Sequence, residues 1–435
     1  MLKKITCSAL IVLLVMSLFS FPSYALTVSS APPVSASDTE EKWILDLGTD
    51  YKNAPSIPVL SGNYLYVMSG KKILKVSKET GKIVCEGNMS GRPTYAYVPV
   101  TVAAGKVFCP IGDGVIEAFD ADNLNKLWSA HDPLEGQALT DIYYYDGKIF
   151  TGFWNSDVHD ANFVSIDAST GEILWSITRA GGYYWAECAR QGNYLIISGD
   201  DGSSDFDGDN FVSTVDISTG SVIDTVNIIG DVRSGITVDS GSVYIVTKGA
   251  YLYKTKVNGD GSFGDVTTCK LAGYSTSTPT VYDGSVYIGM YDESTGNGFI
   301  GAFDAQTLTA GCVIRTPGFP QRELLISSAF DDPVIYSTYN KGPGGLIAVT
   351  YSGDKMSLEN LYVPPEGKRS YCISSICADE NGDLYYKNDS GSVFALTHKS
   401  AENEEPKEKT LFDYIRDFFK SIGDFFKKIF SVFSR

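Results

Sequence analysis

The stretch Ser165-Ile166-Asp167-Ala168-Ser169-Thr170-Gly171-Glu172-Ile173-Leu174-Trp175 holds a strand end, a tight turn and the start of a second strand. Asp167 can accept main-chain N–H groups two and three residues on, and Gly171 takes the positive φ that lets the chain reverse. The turn returns as Val76-Ser77-Lys78-Glu79-Thr80-Gly81, Phe119-Asp120-Ala121-Asp122-Asn123, Val215-Asp216-Ile217-Ser218-Thr219-Gly220 and Phe303-Asp304-Ala305-Gln306-Thr307. A turn that recurs at a fixed period is the mark of a repeated supersecondary unit.

A second signature runs ahead of the first. Gly-containing hairpins followed by alternating strands occur at Ser61-Gly62-Asn63-Tyr64, Ala104-Gly105-Lys106-Val107, Asp146-Gly147-Lys148-Ile149 and Gln191-Gly192-Asn193-Tyr194. They continue at Ser240-Gly241-Ser242-Val243, Asp283-Gly284-Ser285-Val286 and Asn381-Gly382-Asp383-Leu384, and Asp331-Asp332-Pro333-Val334 keeps the place in the series without the glycine. Four strands per roughly 40–50 residues is the arithmetic of a β-propeller. The last unit lacks a fourth strand, and Lys42-Trp43-Ile44-Leu45-Asp46-Leu47 is an orphan strand like Asn125-Lys126-Leu127-Trp128-Ser129. Pairing the two would close the ring and remove both open sheet edges. The expectation is an all-β, eight-bladed propeller over residues 42–399, with 26–41 as a linker. A seven-bladed ring is the alternative, since the fifth unit has no Asp-x-x-Thr-Gly turn.

The motif from Ser165 to Trp175 resembles the Ala-x-Asp-x-x-Thr-Gly-x-x-x-Trp repeat of pyrroloquinoline-quinone (PQQ)-like, BamB-like propellers, which include quinoprotein alcohol dehydrogenases and an outer-membrane assembly lipoprotein. Ala118 to Trp128 matches less fully, with Asn123-Leu124-Asn125 in place of Thr-Gly. The resemblance implies the fold strongly and activity weakly, because the repeat joins blades and carries no chemistry. The dehydrogenases hold a quinone over calcium, and several stack it on a disulfide between adjacent cysteines. No Cys-Cys pair occurs here, and no calcium set can be carried over.

The two ends differ from the middle. Lys3 and Lys4 precede an apolar run from Ala9 to Val15, and Ser23-Tyr24-Ala25 places small residues where a signal peptidase cuts, so cleavage is expected before Leu26. The run is too short to span a bilayer, and Cys7 precedes it, which disfavours lipidation. Residues 400–410 are a charged linker. Residues 411–435 place Phe418, Phe419, Phe425, Phe426 and Phe430 on an amphipathic helix, with Lys427 and Lys428 near its end. That face would bury itself in a membrane surface, in a partner, in a copy of itself or against the propeller.

The formal net charge of −17 argues against nucleic acid, whose phosphates need a basic face. With 43 Gly and 27 Tyr but only 6 Met, the composition is that of a turn-rich β-protein. His131, His159 and His398 show no metal-ligand spacing, and no hydrolase motif is present. Cys85, Cys269 and Cys312 fall at equivalent places in the repeat and read as small hydrophobes.

Differences between units are more informative about function. Loops after the second strand lengthen at Trp154, Asp200, Tyr291 and Tyr339, on the face they share with the connectors into each first strand. Those connectors carry Arg92, Tyr95 and Tyr97, then Tyr183, Tyr184 and Trp185, then Arg233, Arg322, Arg369 and Tyr371. Aromatics and arginines on one rim suit a peptide or glycan contact face, although each aromatic alone also suits inter-blade core. Asp205, Asp207 and Asp209 alternate in the densest acidic stretch and would offer oxygens to calcium, but no EF-hand register fits, and a solvated hairpin tip is the plainer reading. The expected function is an exported, non-catalytic interaction module at the cell envelope, with no cofactor beyond that calcium candidate. The alternative is a quinoprotein-type oxidoreductase with PQQ in the channel.

Overall fold

The computed structural model describes residues 27–48, 54–95, 97–156, 159–202, 206–352 and 355–400. Its repeated turns form as their chemistry requires. Asp167 Oδ1 accepts the N–H groups of Ser169 at 2.8 Å and Thr170 at 2.9 Å, and Gly171 has φ of +80°. Asp216 and Asp304 cap their turns in the same way.

Eight sheets result, each built on four antiparallel strands; seven of them take all four from consecutive stretches of chain. Blade 3 is representative, with Tyr143–Tyr145, Lys148–Gly152, Asp160–Asp167 and Ile173–Ala180 in order from the inside out. Apolar clusters lie between sheets: Ile57, Met68, Val107 and Phe119 join blades 1 and 2, and Phe150, Phe163, Leu195 and Val215 join blades 3 and 4. The first strands of blades 1 and 8 also touch, as neighbours in a ring must.

The repeat's tryptophan explains how blades dock. Trp128 of blade 2 reaches blade 3, where its Nε1 donates to Ala168 O at 3.1 Å and its ring lies 2.8 Å from where a Cβ on Gly171 would sit. Trp175 of blade 3 docks on Gly220 of blade 4 in the same way, and Trp43 docks on Gly81 of blade 1. The glycine is required twice over, for its positive φ and for the indole pressed against it. Cys85 takes the tryptophan place in blade 1, where its Sγ meets Asn123 O at 3.0 Å. Cys269 departs from the expected equivalence: it pairs with Leu252, and Thr267 is the residue opposite Lys254.

Thr39–Asp46 pairs with Ser392–His398 as the fourth strand of blade 8. The segment before it is not the linker expected from sequence. Thr27–Val28 adds a parallel strand to Leu325–Ser327, the innermost strand of blade 7, and His398 holds Asp38 at 2.8 Å and Ala31 O at 2.7 Å. The leader 1–25 and the candidate helix 411–435 lie outside the described residues; the chain divides at Lys399 into a second unit. Among the described residues no helix is long and apolar enough to cross a membrane.

Candidate functional site

The rim is built by loops that knit to one another above blades 3 and 4. Isolated β-bridges link Gln137 to Trp154, Trp154 to Gly182 and Gly182 to Asp200. Gly182 has φ of +94°, and a Cβ there would meet Phe153 O at 2.4 Å, so the close approach depends on glycine. Asp200 is fully buried; its Oδ1 accepts Trp154 Nε1 at 3.0 Å and Gly202 N at 2.8 Å, and its Oδ2 accepts Arg233 Nε.

Arg233 so anchored becomes the centre of a stack. Its guanidinium lies 4.3 Å from the Tyr184 ring and 4.6 Å from Phe206, and Lys248 follows at 3.5 Å over Phe206 and 4.8 Å over Tyr274. Tyr274 meets Tyr291 at 5.7 Å and Phe319 at 5.3 Å. In the other direction the Tyr184 and Tyr97 hydroxyls are 2.9 Å apart, and Tyr97 stacks on Tyr95 at 5.0 Å. Trp154 and Trp185 abut this line edge-on, at 5.1 Å from Tyr184 and 4.6 Å from Tyr97. A continuous belt of rings and cations thus runs from Tyr95 to Phe319, each cation–π contact worth about 0.5–2 kcal/mol.

Burial sets its charge states. Desolvation raises the Tyr97 and Tyr184 phenols, which stay neutral and able to donate. Burial and neighbouring Arg233 lower the Lys248 ammonium to about 8. A small open hollow of about 310 Å³ beside Lys248, Tyr274 and Tyr291 ends the belt.

Several residues expected on the rim lie elsewhere. Tyr183 is fully buried between blades 3 and 4, 5.3 Å from Phe163, and Tyr339 fills the core between blades 6 and 7. Both belong to the inter-blade core because neighbouring sheets close over them. Trp185 is also buried, at φ of +57°, and supports the belt from beneath. Arg92, exposed, and Tyr371, 60% exposed, stand apart from the belt, and Arg369 donates to Pro364 O at 3.1 Å. Asp205 lies outside the described residues, and Asp207 and Asp209 are exposed. Phe206, Lys248, Tyr274 and Phe319 escaped sequence reasoning because their convergence is spatial; only their places in loops and connectors on one face could have suggested them.

Arg322 is the largest relocation. It leaves the rim for the channel, where its Nη2 reaches Asp141 Oδ2 at 2.6 Å, from blade 7 to blade 3 on the opposite side of the ring. Asp141, Glu187, Gly235, Thr278, Glu323 and Ser375 each stand two residues before a first strand, which gathers them around this ion pair. Glu323 accepts Thr278 Oγ1 at 3.0 Å and the Ser375 hydroxyl. Burial raises the carboxyls of Asp141 and Glu187; neighbouring acids add to the effect, and Arg322 opposes it at both.

No curated protein sequence matches the chain. Among solved structures it is similar to BamB from Moraxella catarrhalis, with 16% identity, a TM-score of 0.58, and 84% of this chain and 99% of that one covered. It is also similar to the quinohemoprotein alcohol dehydrogenase from Comamonas testosteroni, with 12% identity, a TM-score of 0.64, and coverage of 86% and 78%. A europium-containing methanol dehydrogenase follows at 10% identity and a TM-score of 0.61, covering 86% and 96%. At such identities these likenesses speak to the fold alone. Residues 33–262 match the family described as outer membrane protein assembly factor BamB, and the chain therefore belongs to that family of PQQ-like β-propeller repeat proteins.

Proposed function

We propose that this propeller is an exported, non-catalytic scaffold of the cell envelope that holds a partner protein across the rim from Tyr95 to Phe319. The observation that carries the reading is the belt itself: its arginine, tyrosines and tryptophans, prearranged on knitted loops, are the residue types that supply most binding energy at protein interfaces. Family membership adds support, since the family is described by an assembly factor of the outer membrane. A glycan would use the same rings, and competition by soluble oligosaccharide separates the two ligands.

The channel argues in the same direction. Arg322 crosses it to Asp141, and the carboxyls of Glu187 and Glu323 crowd beside them. A planar quinone bearing carboxylates fits poorly among these groups. The dehydrogenases that share the fold motivate the rival reading, an oxidoreductase with PQQ in the channel. Reconstitution with PQQ, followed by its absorbance and by alcohol oxidation, tests that rival. Pairing of Thr39–Asp46 with Ser392–His398 is read as the latch that closes the ring. The phenylalanine-rich sequence 411–435 supports a peripheral tether to the membrane surface.

The test is capture from the native envelope with full-length chain. Tyr184→Ala combined with Arg233→Ala is expected to lose the captured partner while far-UV spectra stay unchanged; Tyr282→Ala, on the opposite face, is expected to keep it. Equal capture by all three proteins would remove the rim from the proposal.

A further inference from the structure

Three carboxylates converge beside the belt at the top of blade 4. One oxygen from each of Asp200, Asp201 and Asp231 lies within 4.8 Å of the other two. Asp200 follows the second strand, Tyr194–Ser198, and Asp231 opens the connector after the fourth, Val222–Ile229; these two strands run parallel on either side of the third, so both residues leave the same end of the blade. Two oxygens on one calcium ion, each bound at 2.3–2.6 Å, can be at most about 5 Å apart, so this spacing fits a single ion.

The second observation is an oxygen without a donor. Asp231 is 3% exposed; its Oδ1 accepts Asn210 Nδ2 at 2.8 Å and Asp201 N at 3.3 Å, while its Oδ2 is closed off from water and meets no donor among the described residues. A buried carboxylate oxygen left in this state is destabilising unless a cation or proton reaches it. Arg233, Lys248 and Arg179 act on this cluster through space, but none bonds to that oxygen. Arg233 holds Asp200 and stacks on Tyr184 and Phe206, Lys248 lies over Phe206 and Tyr274, and Arg179 lies 3.3 Å over Phe211.

We propose that Asp200, Asp201 and Asp231 form a calcium site that fastens the loops supporting the belt. The donor set is all oxygen, with no histidine or cysteine, which selects a hard cation over zinc or copper. Calcium exchanges its water for protein oxygens more readily than magnesium, and a buried site demands that exchange. Bound there, the ion would fix Asp200 and through it Trp154 and Arg233. The site differs from the alternating Asp205, Asp207 and Asp209 picked out by sequence, and it does not depend on what the rim binds.

The experiment uses full-length protein stripped with chelator and then titrated with calcium chloride alone. One ion per chain and a rise in thermal midpoint are expected by calorimetry and melting. Asp231→Asn and the less buried Asp201→Asn should each weaken binding at least tenfold; Asp207→Asn combined with Asp209→Asn should change it less than twofold. Terbium supplies a readout that needs no variant, since Trp154 donates to Asp200 and should sensitise terbium emission that calcium then quenches. No calcium heat and no sensitised emission would overturn the site. So would wild-type affinity in Asp201→Asn, or loss of affinity confined to the Asp207/Asp209 variant.

Discussion

The seam between blades 3 and 4 and the seam between blades 5 and 6 solve the same packing problem with different chemistry. At the first, Trp175 crosses to Gly220, the channel ends carry Asp141 and Glu187, and the rim loops are bridged from Gln137 to Asp200. At the second, Thr267 replaces the tryptophan, and Tyr244 and Lys254 reach across instead, to Ala305 O at 2.8 Å and Gln306 O at 3.0 Å. Gly235 and Thr278 stand where the channel acids would be. An open polar hollow of about 720 Å³ remains beneath, lined by Tyr244, Lys254, Lys256, Tyr282 and Asp283. Both seams bury an apolar core, but the first adds an indole at its outer edge and lies under the belt, whereas the second is joined at that edge by polar contacts and leaves space. The contrast sets the proposed rim beside the seam that carries the indole.

The largest break should come from the indole. Trp175→Ala removes the ring that covers Gly220 and leaves a gap at positive-φ glycine, and a loss of about 4 kcal/mol is expected by urea unfolding. Thr267→Ala, the equivalent change at the other seam, should cost less than about 0.5 kcal/mol. Equal losses would mean that the two seams carry the same load. Asp200→Ala comes next. It strands Arg233 and the Trp154 indole N–H in a dry setting, so about 3 kcal/mol should be lost, together with the fluorescence signature of Trp154.

These two residues also show what the amino-acid order could and could not disclose. Trp175 lies in a repeat whose spacing dictates the turn, strand and dock, and eight hairpin signatures pointed to eight blades, with seven left open by the irregular fifth unit, because each is satisfied within a few residues. Asp200 was visible only as one acid in an acidic run. Its role needs Trp154 and Arg233, which arrive from other loops, and no local rule connects them. Periodicity likewise cannot tell a rim aromatic from a core one: Tyr183 and Tyr184 are neighbours in the chain, yet one fills the blade 3/4 core and the other carries the belt. Cys269 was misplaced because blade 5 lacks the bulge by which the other third strands shift register, so counting from the turn fails there.

The channel ends distinguish the seams by pH. Burial lifts the folded carboxyl of Asp141 from 3.8 to about 6 and raises Glu187 above its ordinary 4.5. Between the unfolded and folded values the native chain binds more protons than the unfolded chain, so stability must fall as pH rises through that interval. Unfolding at pH 5 should therefore require more urea than at pH 8. Glu187→Gln should raise the midpoint at pH 8 and have little effect at pH 4, where the wild-type group is already protonated. A variant that loses stability equally at both values would show that Glu187 is needed as an anion.

A small loss at the open seam sharpens the comparison most. Tyr244→Phe deletes one hydroxyl and leaves the ring in place, so the loss is a single neutral hydrogen bond to Ala305 O, about 1 kcal/mol. Lys254 still holds the next carbonyl, so the blades should remain joined. Tyr66 is the matched control: at the seam between blades 1 and 2 its hydroxyl donates to Ala121 O at 2.8 Å, beside Lys75 Nζ at 2.9 Å. There Cys85 occupies the tryptophan place, and Lys75 is buried. Tyr66→Phe should cost more than Tyr244→Phe, because water entering the 720 Å³ hollow can replace the lost donor at blade 5 and has less access at blade 1. Equal costs would mean that the hollow is dry or closed in solution, and the open seam would then be as sealed as the one that Trp175 covers.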